Sequence, residues 1–219
     1  MVTAGQGLLV RAGSPLADRW TQMTGPFVVA NLFQTLWTAS FRPKYKGPYR
    51  WVSAGMLGGV AYALSKAHTA LLGLGGGPYL LLGLPISLHF GWTTAATLVN
   101  INGSLAANLS QEQDNDNDNK NKKSSVLAWV GHGSVWLATS LGVWITVQRR
   151  APVYGGVIAW ALTAVADGMR ERIEAQGDEP MTKRQQRWSQ AGAWISVAAS
   201  AVVTVLVATN KFKKHNLAP

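Results

Sequence analysis

Six stretches of this chain, each at least seventeen residues long and almost free of charge, limit what it can fold into. They run over about 24–41, 51–73, 78–109, 125–147, 152–168 and 188–209. A helix crossing a bilayer needs roughly 20 predominantly apolar residues, and a soluble helix is usually only three to four turns long. No ten-residue segments of alternating hydrophobicity appear, which argues against a transmembrane β-barrel. The expected fold is therefore an all-α membrane protein, a polytopic bundle of about five or six transmembrane helices. Charged residues make up only 14% of the 219 residues, against about 25% in soluble domains.

Local breakers set the boundaries. Arg42-Pro43 ends the first stretch, because proline removes a donor and disfavours helix in the residue before it. Gly75, Gly76, Gly77 and Pro78 end the second, and Pro85 predicts a kink in the third. Residues 111–124, within QEQDNDNDNKNKKSS, hold no apolar side chain and predict a disordered, solvent-exposed loop. The alternating Asp residues there lack the turn glycine and terminal glutamate of a Ca²⁺ loop. The expected organisation is a polar lead-in over 1–23, a helical half over 24–110, the loop over 111–124, a second half over 125–210 and a basic tail over 211–219. After the fifth stretch, the mixed charges of GMRERIEAQGDEP predict a helix continuing into water.

The net charge is +10. Its basic residues flank apolar stretches, as at Arg42, Lys44, Lys46 and Arg50 or Lys211, Lys213 and Lys214. That placement points to a membrane surface and not to nucleic acid. With six spans, the first, third and fifth loops carry twelve Lys/Arg and the remaining polar segments seven. The bias puts the odd loops on the cytoplasmic or stromal side. There is no cysteine, so disulfides and thiolate chemistry are excluded.

Inside the stretches, Gly55, Gly59 and Ala63 form a small-residue face, as do Gly155, Gly156 and Ala159. Asn31, Gln34, Thr35 and Thr38 share one helical face of the first stretch. His89, Trp92, Ala96 and Asn100 share one of the third. Such faces either hydrogen-bond to each other or enclose a ligand. His68, His89 and His132 are the histidines within or near the spans, where ionisable groups mark functional positions. Each has the chemistry to hold a metal or the magnesium of a chlorin, but a lone histidine of this kind reads first as a hydrogen-bonded structural one. Lys66 and Asp167 lie near span ends, where snorkelling explains them. Ten tryptophans are the compositional outlier. His132, Trp136, Ser140 and Trp144 follow one another at four-residue steps, a wall suited to a flat ligand or to lipid. No phosphate loop, Ser-His-acid motif or carboxylate pair appears in the spans, so no enzyme activity is expected.

Two segments resemble helices of the TspO/translocator-protein superfamily, in particular its tryptophan-rich branch. One is NLFQTLWTASF over 31–41, with Asn31, Trp37 and Phe41. The other is PISLHFGWTTAATLVN over 85–100, with Pro85, Trp92 and Asn100. A third segment, APVYGGVIAWAL over 151–162, is similar to one found in that branch. On this alignment the first three spans correspond to the last three family helices. The two leading family helices, with the Trp- and Pro-rich loop that lids the ligand cavity, have no counterpart before residue 24. The resemblance implies binding of a tetrapyrrole (porphyrin or chlorophyll), a carotenoid, a sterol or a lipid, with Trp37, Trp92 and Asn100 as cavity residues. The lost lid favours an accessory or structural subunit of a larger membrane complex. Its partners would be membrane lipid and other membrane-protein subunits. The expected setting is an organelle membrane, such as a plastid thylakoid, where histidine would hold chlorophyll, or a mitochondrial membrane.

Overall fold

The computed structural model describes residues 13–40, 50–111, 117–176 and 180–215, with side chains described outside 110–124, 176–181 and 210–215. Among the described residues there are only helices, turns and short connections. They comprise α1 (Pro15–Ala39), α2 (Arg50–Ala70), α3 (Leu84–Gln111), α4 (Asn117–Arg149), α5 (Pro152–Gln176) and α6 (Pro180–His215). One turn at Gly76–Pro78 and a π-helical segment at Tyr79–Gly83 lead into α3. The chain divides into two compact units, Met1–Asn108 and Leu109–Pro219. Two helical segments, Ser125–Arg149 and Thr182–Thr209, are long and apolar enough to cross a membrane. The other helices are less apolar over such a length, α1 being diluted by Gln22, Asn31 and Gln34 and α2 by Gly, Ser, Tyr and Lys66.

Helix α1 starts nine residues earlier than the first apolar stretch, inside the expected lead-in. The reason is local: Ser14 Oγ accepts from the Ala17 N–H at 3.2 Å, Pro15 occupies the first turn, and Asp18 follows. These are strong helix-start signals, with the acid favoured by the helix dipole. Helix α4 likewise begins at Asn117, within the segment expected to be a loop, while residues 112–116 lie outside the described residues. The irregularity expected at Pro85 takes the form of a π turn just before it. There the Leu84 N–H reaches Tyr79 O, and Ser87 Oγ donates to Gly83 O at 2.7 Å. The Ser87 hydroxyl thus meets its hydrogen-bonding need on its own helix, one turn back.

In the first unit α2 is the central helix, burying Ser53, Leu57, Val60, Leu64, Ala67 and His68 among others. Gly58 and Gly59 face different neighbours. A Cβ at Gly59 would lie 3.1 Å from the Phe33 ring of α1, and one at Gly58 would lie 3.7 Å from Thr97 of α3. Of the expected small-residue face, Gly59 and Ala63 are packed, but Gly55 is exposed with open space beside it. Arg19 closes the end of α2 by donating to the carbonyls of Ala70 and Leu72, which the helix itself leaves unpaired. Gly73, at φ 80°, turns the chain out of the helix.

The second unit is a three-helix bundle held by glycine against hydroxyl. Gly142 of α4 faces Ile158 of α5 and Ser196 of α6, while Gly155 of α5 faces Thr146 and Ser200. Gly192 of α6 faces Thr139 and Leu162, and Gly131 of α4 faces Gln185. Glycine lets these backbones approach in the way membrane helices favour. Gly156, also expected on a packing face, is exposed instead. Helix α5 runs on to Gln176 as a charged extension, where Arg170 lies 3.5 Å from Asp167 and 3.9 Å from Glu174.

Candidate functional site

Most hydroxyls in the spans serve their own helix. Thr24, Thr35, Thr69, Thr94, Thr97, Thr139, Thr163, Ser189, Ser200 and Thr204 each donate to the carbonyl four residues back. This satisfies the donor locally, which hydrocarbon demands. Asn31 does the same, with Nδ2 donating to Phe27 O at 2.7 Å. The polar face of α1 therefore does not meet that of α3 through these groups. Asn31, Thr35 and Thr38 are exposed.

The six expected site residues belong to both units. His132 lies in the second unit and the other five in the first. Asn100 is bonded across helices: its Oδ1 accepts from Ser53 Oγ of α2 at 3.1 Å, and its Nδ2 donates to Ala96 O at 3.0 Å. Trp37 is half-buried near the end of α1, and Trp92 is half-exposed on α3. His68 is buried, with its ring 5.9 Å from that of Phe90. His89 is half-buried, and its carbonyl accepts from Thr93 Oγ1 at 2.9 Å.

His132 is the most constrained of the three. It is 7% exposed, and Nδ1 lies 2.6 Å from Ala128 O. A carbonyl only accepts, so Nδ1 carries the proton and the Nε2 lone pair is left over in the neutral ring. Nε2 is buried, without a hydrogen-bond partner among the described residues. His132 Nε2 would be the atom to hold the metal of a metallotetrapyrrole, which would supply the Lewis acid. Protein atoms cover Nε2 in this conformation, so access requires a side-chain movement. Nearby, Trp136 packs on Trp188 of α6 at 4.7 Å and 49°. Trp144, expected on the same wall, stands outward. Among the described residues no three His, Asp or Glu side chains gather as a metal site.

Sequence reasoning missed one concave feature. A groove of about 470 Å³ runs along α1, lined by Trp20, Met23, Thr24, Phe27, Val28, Asn31, Leu32 and Thr35. Their three- and four-residue steps mark one face of a single helix, so the groove is open on its outer side, with Val28 and Leu32 50% and 61% exposed. The first turns of this face fell within the expected lead-in. Thr24 and Thr35 spend their hydroxyl protons on backbone carbonyls, so towards the groove they act as acceptors.

A chain helical over its described residues, with two strongly apolar helices, wide apolar outer faces and a membrane-type glycine packing, is a helical membrane protein in class. It belongs to the TSPO-like protein family, whose profile matches residues 9–176. The match takes in α1 through α5 and stops at the end of α5, so α6 lies beyond it. No curated protein and no solved structure matches the chain.

Proposed function

We propose that this protein is a non-catalytic, membrane-embedded binder of a mainly apolar ligand, a tetrapyrrole, sterol or lipid, with all six helices in the bilayer. The α1 groove carries this reading. Its walls are apolar and aromatic, and it offers one amide, Asn31, to orient a ligand. Family membership supports the same ligand classes. The test is to purify the full chain in mild detergent and record its absorption spectrum and native mass before and after adding protoporphyrin or a labelled sterol. Stoichiometric uptake that weakens in Asn31→Leu supports the groove. Uptake unaffected by Asn31→Leu and by Phe27→Ala places the ligand elsewhere.

A second reading, an accessory subunit of a larger membrane complex, is favoured by the tryptophans. Trp129, Trp136, Trp144, Trp160 and Trp194 all stand 48% or more exposed on α4, α5 and α6. Such rings serve as anchors at helix–helix interfaces between proteins. Co-migration with a large complex and no exchangeable ligand would replace the first reading by this one.

A further inference from the structure

The packing of the second unit fixes the relative heights of its three helices, and those heights define a slab that is thin for a bilayer. Helices α4 and α6 run parallel with a constant offset: Gly131 meets Gln185, Thr139 meets Gly192 and Gly142 meets Ser196. Thr146 and Ser200 share the Gly155 contact at the same offset. Helix α5 runs antiparallel, with Ile158 level with Gly142 and Gly155 level with Thr146. On this scale Arg187 of α6 and Asp167 of α5 both stand level with residues 133–134 of α4. The other limit is Arg149-Arg150, where α4 turns into α5. Residues 134–148 of α4, and everything level with them, are uncharged. At 1.5 Å per residue that is about 22 Å, against a hydrocarbon core of roughly 30 Å.

The Arg149-Arg150 rim is where the shortfall concentrates. Helix α6 continues past it through the apolar residues 203–209, about 10 Å of helix, and Val205 and Leu206 there are exposed. Side chains on a helix lean towards its N-terminus, so at the C-terminal end of α4 the Arg149 side chain leans back into the slab and snorkels poorly. Arg150 is exposed and held at φ 50°, a left-handed backbone uncommon for a residue with a Cβ. The opposite rim carries acids beside its bases, with Asp167 and Glu174 near Arg170. Within α4, α5 and α6 no acid stands level with the Arg149-Arg150 rim, since there is no Asp or Glu between residues 119 and 166 or after 179.

We propose that the Arg149-Arg150 rim of the three-helix unit is a binding surface for the phosphates of anionic phospholipids, held in an annulus of bilayer thinner than the bulk. Short-chain lipid brings those phosphates to the arginines, and the net positive rim prefers a headgroup with net negative charge. The inference rests on the reading of the chain as bilayer-spanning. Purified full-length protein is reconstituted into vesicles of phosphatidylglycerol or phosphatidylcholine with fourteen- or eighteen-carbon chains, and flotation and thermal midpoint are measured. The expected midpoint is highest in fourteen-carbon phosphatidylglycerol. Arg149→Gln/Arg150→Gln loses the headgroup preference and most of the chain-length preference, while Arg170→Gln at the other rim keeps both. A wild-type midpoint that is highest in eighteen-carbon lipid and indifferent to headgroup overturns the proposal. So does a double variant with unchanged preferences. If the double variant does not fold, Arg150→Gln alone is compared with wild type for phosphatidylglycerol retained in native mass spectrometry, and equal retention overturns it. Protein that never floats with the vesicles refutes the membrane reading itself.

Discussion

The two units solve the same packing problem by different means. In the first, the contacts are dissimilar: a phenylalanine ring on Gly59, a Ser53–Asn100 hydrogen bond, and an arginine capping a helix end. In the second, one device repeats, with glycine on one helix opposite a hydroxyl, amide or aliphatic group on another. A repeated device fixes register at every level, because a slip of one position sets a side chain against each glycine's neighbour. A mixed set of contacts fixes register at only a few points and leaves outer faces free to vary. The α1 groove lies in the mixed unit, and the strict thickness limit lies in the repeated one.

Substitutions can break this contrast, beginning with the most damaging. Gly155→Leu drives a side chain into Thr146 and Ser200 and should cost about 3 kcal/mol or more. Thermal denaturation in detergent should show the loss, and proteolysis should cut residues 109–219 before 1–108. Gly59→Leu in the first unit should cost less, about 1–2 kcal/mol. Phe33 is 37% exposed and has room to swing outward. Asn100→Leu removes one interhelical hydrogen bond and should cost only about 0.6 kcal/mol. Finally, Gly55→Ala and Gly156→Ala meet nothing within 4 Å, and should shift stability by less than about 1 kcal/mol, in the favourable direction. If Gly156→Ala proved as damaging as Gly155→Leu, the glycine–hydroxyl account of the second unit would fail.

His132 sharpens the same comparison. If its role is structural, His132→Leu relieves a buried, unpartnered Nε2 and should leave stability unchanged or raise it by about 1 kcal/mol. If its role is to hold a tetrapyrrole metal, the substitution abolishes the bound absorption band and leaves the apo protein's midpoint intact. Spectra and melting curves of the two proteins separate the cases.

Much of the fold was legible in the sequence, because length and the absence of charge are one-dimensional properties. The helices beginning at Arg50 and Pro152 and the charged extension of α5 follow from apolar runs and their breakers, whereas the third stretch, expected from residue 78, becomes regular α-helix only at Leu84. The start of α1 was missed through weighing hydrophobicity over capping, although Ser14, Pro15 and Asp18 stood in the sequence. The site was far less legible. A shared polar face on α1 looks the same in sequence whether it meets another helix or bonds to its own backbone, and Asn31 and Thr35 do the latter. Asn100, which the resemblance implies is a cavity residue, joins α2 to α3 through Ser53, a contact that no single helix shows.

By itself, then, the sequence determined that this is a helical chain with apolar spans of the TSPO-like kind, tryptophan-rich and without cysteine. Only the tertiary structure decided which glycine faces which helix, that His132 Nε2 is buried and unpartnered while Asn100 is bonded, and that the charge-free slab of the second unit spans about 22 Å. The reason is physical. Apolar length is summed along one chain, whereas the thickness of a bundle depends on how far its helices are shifted against each other. Side-chain contacts set that shift, and no single helix contains it.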